Sequence, residues 1–361
     1  MNAARVTLGD VAQRAGVSRT TASFVTSGRT DMRISAAAQE RVRRAARELE
    51  YRPSLLARSL RTNLSQTVGL LSDGVATEAF AGEVIRGSMT GALLHDHLLF
   101  VAEAAGDPEL EKRLINNMLD RGVGGFIYAC MYTKRVRVAA ALRGHPLVLV
   151  NCTARARTVP TVIPDEQEAG RAAARVLVRH GHGDRIVLVG ETPTHVLAAN
   201  ERLAGINSVL QARGFTLAAS IDTTWWPEPA QAAVRDHLAA GHRPSALICL
   251  NDRVAMGAYQ ACHEAGLAVP EDISVISFDD SDLAGWLRPK LTSLAIPHFE
   301  MGRRASEILL AEERPPIVHL VPMTLHERDS VAAPAPRRRT RRVKAARPTV
   351  NPAGGPDQPA S

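Results

Sequence analysis

Arg19 and Thr20 directly follow Ser18 in the run Gly16-Val17-Ser18-Arg19-Thr20, a tight turn and then a helix-capping serine. A guanidinium and a hydroxyl on the first turn of a helix are groups that meet base edges when that turn enters a major groove. Thr7, Thr21 and Ser23 add hydroxyls able to bond phosphate oxygens, and Arg29, Arg33 and Arg58 add positive charge, though any one of these arginines can equally be a solvated surface group.

Other candidate chemistry is thinner. His180-Gly181-His182 has the look of a metal pair, but a glycine-centred turn between a helix and a strand accounts for it better. Asp279, Asp280 and Asp282 could face a divalent cation, yet they lack calcium-loop spacing and a partner histidine. No GxGxxG after a strand, no GxxxxGK[ST] and no GxSxG occurs, so no catalytic residue, metal or cofactor is expected. Cys130, Cys152, Cys249 and Cys262 are scattered without a CxxC, which suggests buried, reduced thiols.

The elements that must position these groups fall into two kinds. Thr7 to Asp10 reads as a capping box, and Leu8, Val11, Ala12 and Ala15 then recur at helical spacing until Gly16; a second helix starts at Ser18. A third begins near Ser35, sets Val42, Ala45, Ala46 and Leu49 on one face, and should stop at Pro53. From Gln66 the pattern changes to short apolar runs alternating with helical stretches: TVGLL, LLFVAEA, GGFIYA, PLVLVN, RIVLVG, ALICL and ISVISF. That rhythm predicts parallel sheets covered by helices on both faces, arranged as two α/β lobes with a cleft at the strands' carboxyl ends, in preference to a single eight-unit barrel.

Charge divides the same way. Of 361 residues, 1–62 hold 12 Lys/Arg against 5 Asp/Glu, 63–330 hold 25 against 31, and 331–361 hold 7 against 1. A basic head marks a nucleic-acid module and an acidic body of some 270 residues is large enough for a pocket. The tail, rich in Ala, Pro and Arg, has a composition that predicts disorder. No apolar run approaches the roughly 20 residues of a membrane span, and MNAARVTLGD lacks the apolar stretch of a secretory signal, so a cytoplasmic protein is expected.

Residues 6–18, with Thr21, Ser23 and Ser27-Gly28-Arg29, closely resemble the N-terminus of the lactose-repressor (LacI/GalR) family; Glu50-Tyr51-Arg52-Pro53 and Ala57-Arg58-Ser59-Leu60-Arg61 carry the likeness further. The resemblance extends more loosely to about residue 329. It implies a helix-turn-helix head over 1–53, a hinge helix and linker over 54–65, a two-lobed, doubly wound, periplasmic-binding-protein-like α/β effector domain over 66–330, and a basic tail over 331–361. It also implies a homodimer on pseudo-palindromic double-stranded operator DNA, controlled by a small effector such as a sugar.

The residues carried over for DNA are Thr7, Ser18, Arg19, Thr20, Thr21, Ser23, Phe24, Arg29, Ala57, Arg58 and Leu60, the last as a minor-groove wedge. Phe24 stands where the family usually has a polar residue; it either meets a thymine methyl or packs in the head. For the effector they are Asp73, Phe80, Asp165, Arg202, Trp226, Asn251 and Asp279, a set suited to a polyhydroxylated ligand with an aromatic cover. Gly124 departs from the family, which often has Asp there. No leucine heptad follows residue 330, so a tetramer built on a C-terminal helix is not expected. The rival readings are a plain sugar-binding protein of the same two-lobed fold and a carbohydrate enzyme with a basic tail.

Overall fold

The computed structural model describes residues 6–27, 33–51, 66–76, 82–156 and 158–335. Arg29, Ala57, Arg58, Leu60 and Phe80 lie outside them, as do the rest of segment 52–65 and residues 336–361.

The head has three helices: α1 (Leu8–Ala15), α2 (Arg19–Thr26) and α3 (Ala36–Glu48). Thr7 and Asp10 form a reciprocal capping box, the Thr7 amide donating to Asp10 Oδ2 at 2.7 Å, and Gly16 closes α1 in the left-handed region at φ 66°. Ser18 Oγ accepts from the Thr21 amide at 3.0 Å, which starts α2 after a two-residue turn. Val11, Ala12, Ala15, Ala22, Val42 and Ala45 form the core, with Val25, Ala46, Leu49 and Tyr51 packed on it. The third helix stops earlier than Pro53: Glu50 takes φ 49°, and the Tyr51 amide donates back to the Ala46 carbonyl at 2.9 Å, so Tyr51 folds onto the core it helps to close.

The first lobe holds a six-stranded sheet, every paired contact of which is parallel. Its strands are β1 (Thr67–Asp73), β2 (Leu98–Glu103), β3 (Gly125–Val136), β4 (Leu147–Ala154), β5 (Thr161–Pro164) and β11 (Val318–Val321), in the order β11-β5-β4-β3-β1-β2. Alternate residues serve opposite faces: Leu70, Ile127 and Val148 pack under α4 (Gly82–Leu94) and α11 (His298–Leu310), while Phe126, Tyr128 and Leu149 pack under α5 (Pro108–Asp120). The second sheet runs β12-β10-β9-β8-β6-β7. It comprises β6 (Ile186–Val189), β7 (Ala219–Ile221), β8 (Ala246–Cys249), β9 (Ser274–Asp279), β10 (Thr292–Ala295) and the antiparallel edge β12 (Thr324–His326). Helices α6 (Glu166–Arg179) and α7 (Leu197–Gln211) cover one face, and α8 (Pro227–Ala239) and α9 (Asp252–Glu264) the other. The short α10 (Asp282–Trp286) follows β9.

The chain crosses between lobes three times, after β5, after β10 and after β11. All seven apolar runs read from the sequence are strands, whereas β5, β7, β10, β11 and β12, three or four residues each, were not among them.

Glycine sets the spacing of helices within each lobe. A Cβ on Gly170 would stand 2.1 Å from the Arg202 carbonyl oxygen, and one on Gly205 would stand 2.0 Å from that of Gln167, so α6 and α7 touch backbone to backbone.

The packed body does not end at Ser330. Residues 331–335 continue along the second lobe: the Ala332 amide donates to Ser274 Oγ at 3.0 Å, Val331 joins the apolar cluster, and Arg185 Nη2 donates to the Ala335 carbonyl at 3.5 Å. Ser274, His182 and Arg185 supply hydrogen-bond partners to this half-buried backbone where composition alone predicted disorder.

Candidate functional site: the cleft and the head

The carboxyl ends of both sheets open on one cleft. A cavity of about 380 Å³ there is lined by Met131, Tyr132 and Asn151 from the first lobe and Glu166, Glu191, His195, Arg202, Trp225, Trp226, Asn251, Arg253 and Asp279 from the second. Asp279 and Arg253 also border a wider opening of about 820 Å³ toward Trp286 and His298.

Arg202 is the centre of this arrangement and is 3% exposed. Its Nε donates to Glu166 Oε2 at 2.6 Å, Nη2 to Glu166 Oε1 at 3.3 Å and Nη1 to the Leu250 carbonyl at 2.5 Å. The guanidinium lies 4.5 Å from the Phe278 ring centroid, and Asp279 Oδ1 is 3.9 Å from Nη1. Burial alone would lower the arginine's pKa, but Glu166 and then Asp279 raise it. Burial pushes the Asp279 carboxyl well above the usual carboxylate range against the pull of Arg202. Asp279 holds φ 102° and Asp280 φ 50°. Two successive residues in the region that favours glycine store strain of the kind found where a side chain is aimed at a ligand.

Asp252 fixes that turn. Buried at the start of α9, it accepts from the Ser281 amide at 2.7 Å and from the hydroxyls of Ser281 and Ser293 at 2.9 and 2.8 Å. Burial raises its pKa, and the serine donors oppose that. Next to it, Asn251 caps α9, its Oδ1 accepting from the Val254 amide at 2.7 Å while Nδ2 donates to the Trp225 carbonyl at 3.3 Å. Trp226 is 54% exposed, and Arg253 stacks on its ring at 4.6 Å.

Four of the expected effector residues thus line one cavity: Arg202, Trp226, Asn251 and Asp279. Two do not. Asp165 caps α6, accepting from the Glu168 amide at 3.0 Å, and borders a separate groove; its neighbour Glu166 is the residue that enters the cleft. Asp73 is held in an ion pair by Lys134 and is not part of the cavity lining. Glu166, Tyr132, Asn151 and Arg253 escaped sequence reasoning, because they reach the cavity only through the first interlobe crossing, the long β3, the end of β4 and the turn into α9.

In the head, Ser18, Arg19 and Thr20 are exposed at the start of α2. The Ser18 hydroxyl lies 2.9 Å from that of Thr21, and the Thr7 hydroxyl donates to Asp10 Oδ2 at 2.8 Å, so both act as caps within the head. Ser23 and Phe24 are half-buried, and Phe24 does not join the head's apolar core. His180 closes α6 through its Nδ1 and the Val176 carbonyl, 2.9 Å apart, and His182 is buried between Ser245 and Ala332. The four cysteines are buried thiols. No helix among the described residues is long and apolar enough to cross a membrane.

A helix-turn-helix head joined to a two-lobed domain with a polar cleft defines a ligand-controlled DNA-binding regulator of transcription. The chain belongs to the lacI family of bacterial regulatory proteins: that family's model matches residues 7–54, and a periplasmic binding protein-like domain matches 174–331. It is 31% identical to the HTH-type transcriptional repressor PurR of Vibrio atlanticus, over 84% of this chain and 91% of that one. The lac repressor dimer bound to operator and the anti-inducer ONPF is similar to it with a TM-score of 0.76 and 25% identity, over 91% of this chain and all of the other. A complex of the transcriptional regulator CelR with cellobiose is similar with a TM-score of 0.64 and 26% identity, over 90% and all of the respective chains.

Proposed function

We propose that this regulator is a homodimeric repressor that acts in the cytoplasm on a pseudo-palindromic operator, with a carbohydrate as its effector. The observation that carries the effector class is the make-up of the cleft. Asp279, Glu191 and Asn251 offer acceptors and an amide, Arg253 offers donors, and the faces of Trp226 and Tyr132 stand at the rim. Polyols are held by such paired donors and acceptors, with an aromatic face against the apolar side of the ring. The cellobiose held by the similar CelR favours the same class.

Dimerisation is supported by an uncovered apolar face: Met89, Leu93 and Leu94 on α4 adjoin Leu98 and Phe100 on the edge strand β2, all exposed. In the head, Arg19 and Thr20 read bases, Thr7, Ser18, Thr21 and Ser23 lie against phosphates, and Phe24 meets a thymine methyl. Effector binding changes the closure of the two lobes and so the DNA affinity of the head.

The test is fluorescence anisotropy of the full chain on a duplex it selects from a random pool, titrated with monosaccharides, disaccharides and nucleobases. A sugar should shift the affinity about 5- to 150-fold, the span of ordinary allosteric coupling. A response to nucleobases with none to sugars would overturn the effector class.

A further inference from the structure

The first lobe leaves part of its sheet without a helix. On the face that α5 covers, the chain passes from β3 to β4 through a single 3₁₀ turn, Ala140–Leu142, and from β4 to β5 through residues 155–160, with no helix among those described. A crossover between parallel strands usually supplies a helix. Here a groove of about 940 Å³ stays open instead, with Leu147 and Ala154 of β4 in its lining. Its floor is apolar: Leu142 and Leu147 are buried, and Val136, Val138 and Val159 are half-buried.

The rim is basic. Arg135, Arg137, Arg143 and Arg155 line the groove with His145, all of them exposed, and among the described residues no acid does. None of the four arginine side chains has an ion pair or a hydrogen bond among those residues. Arg135 and Arg155 also border the adjoining groove that holds Asp165 and Glu201, yet pair with neither. Register concentrates the charge: Val136 pairs with Ala154, so Arg135 and Arg137 flank one member of that pair and Arg155 follows the other. Like charges this close repel. Residues 63–330 hold 31 acids against 25 bases, and none of those described stands in this groove to relieve them.

We infer that this groove is a second ligand site, separate from the cleft, for a small molecule that carries a multiply charged phosphate group on an apolar or flat body. Guanidinium groups meet phosphate oxygens with paired N–H donors, and three of them around one strand pair suit one compact anion better than carboxylates spaced along a peptide. The valine and leucine floor takes a nucleobase more readily than a sugar, whose hydroxyls would lose their partners there. No phenylalanine, tyrosine or tryptophan lines the groove, so it lacks the stacking platforms of a single-strand channel. The site shares its strands with the cleft: Tyr132 of β3 and Asn151 of β4 line the cavity, three residues before Arg135 and four before Arg155. Lys134, beside Arg135, bridges through its main chain to Val196 of the second lobe. An anion in the groove therefore acts on the strands that border the cleft.

The experiment is calorimetric titration of the full chain with pyrophosphate and with adenosine diphosphate at physiological ionic strength. Two double variants that lose the same charge are compared: Arg137→Gln with Arg155→Gln in the groove, and Lys112→Gln with Arg113→Gln, exposed on α5. Adenosine diphosphate should bind at one site per chain and more tightly than pyrophosphate. The groove variant should lose about tenfold or more in affinity for it. The α5 variant should stay within about twofold of wild type, its charges being screened from the groove. The groove variant should also melt no lower than wild type, since it removes repulsion and no bond. Absence of binding, equal losses in the two variants, equal affinity for pyrophosphate and adenosine diphosphate, or tighter binding of a polyglutamate peptide or single-stranded RNA would each overturn the inference.

Discussion

Glu166 and Arg202 meet in a two-pronged ion pair, Nε to Oε2 at 2.6 Å and Nη2 to Oε1 at 3.3 Å, with both side chains almost wholly removed from water. Removing one member of such a pair strands the other charge in a medium that cannot solvate it. Glu166→Gln should therefore cost about 3 kcal/mol in urea unfolding. Glu168→Gln, on the same helix but paired with Arg171 and Arg175 near the surface, should cost under about 1 kcal/mol. Equal losses would mean that the buried pair is solvated.

Effector recognition should depend on Asp279 more than stability does. Ionising this buried carboxyl is unfavourable, so Asp279→Asn should leave the melting temperature of the ligand-free protein at pH 7 unchanged or raised. The same change should abolish the effector's influence on DNA binding, since a ligand hydroxyl buried without its hydrogen-bond partner costs about 1–3 kcal/mol. A normal response in anisotropy would remove Asp279 from the site.

Acid should weaken the fold through His298. Its burial, with help from Arg202, lowers the imidazole pKa to about 4, while the unfolded chain keeps 6.5. The unfolded state thus binds the proton first as pH falls, and stability declines from near pH 6.5 down to about 4, by about 3 kcal/mol in all. Asp279, with its raised pKa, pulls the opposite way, gaining stability on acidification. The difference between wild type and His298→Gln isolates the histidine: the variant's stability should fall less steeply across that window in denaturant titrations.

Close helix contact holds the ion pair in place. Gly205 lies three residues after Arg202, and Gly170 lies four after Glu166, so any wedge between α6 and α7 moves both charges. Gly205→Ala should destabilise by about 2 kcal/mol through overpacking and shift the effector's half-maximal concentration upward. Gly214→Ser, in open space at φ 74°, should lower stability by a smaller amount and leave that concentration unchanged.

For the head, Arg19→Ala should weaken binding to the selected duplex by about 1–3 kcal/mol, at least twice its effect on random DNA. Arg33→Ala should weaken both alike and flatten the salt dependence. Equal losses on both duplexes for Arg19→Ala would leave that side chain as a phosphate contact.

The head was nearly all legible in the sequence, because caps and short-range periodicity specify it: Thr7, Asp10, Gly16 and Ser18 do in the structure what their types predict. The one error there, Pro53 as the stop of α3, came from reading a strong breaker and missing Tyr51, whose burial ends the helix sooner. In the cleft, Arg202 and Asp279 were recoverable from motif likeness. Asp165 caps a helix, a local role, while its neighbour Glu166 lines the cavity and finds its partner 36 residues away. Asp73, which the cavity lining does not include, pairs with Lys134, 61 residues on, and no local pattern records that meeting.

The three interlobe crossings also set the order in which a ribosome could complete the molecule. The head's three helices are finished by Glu48, whereas the first sheet lacks its edge β11 until Val321 and its covering helix α11 until Leu310. The earliest-made lobe is therefore among the last to close, and the segment able to meet DNA is folded some 270 residues before any ligand site exists. During synthesis, DNA recognition precedes its own control, and a prematurely ended message would release a head that no effector can govern.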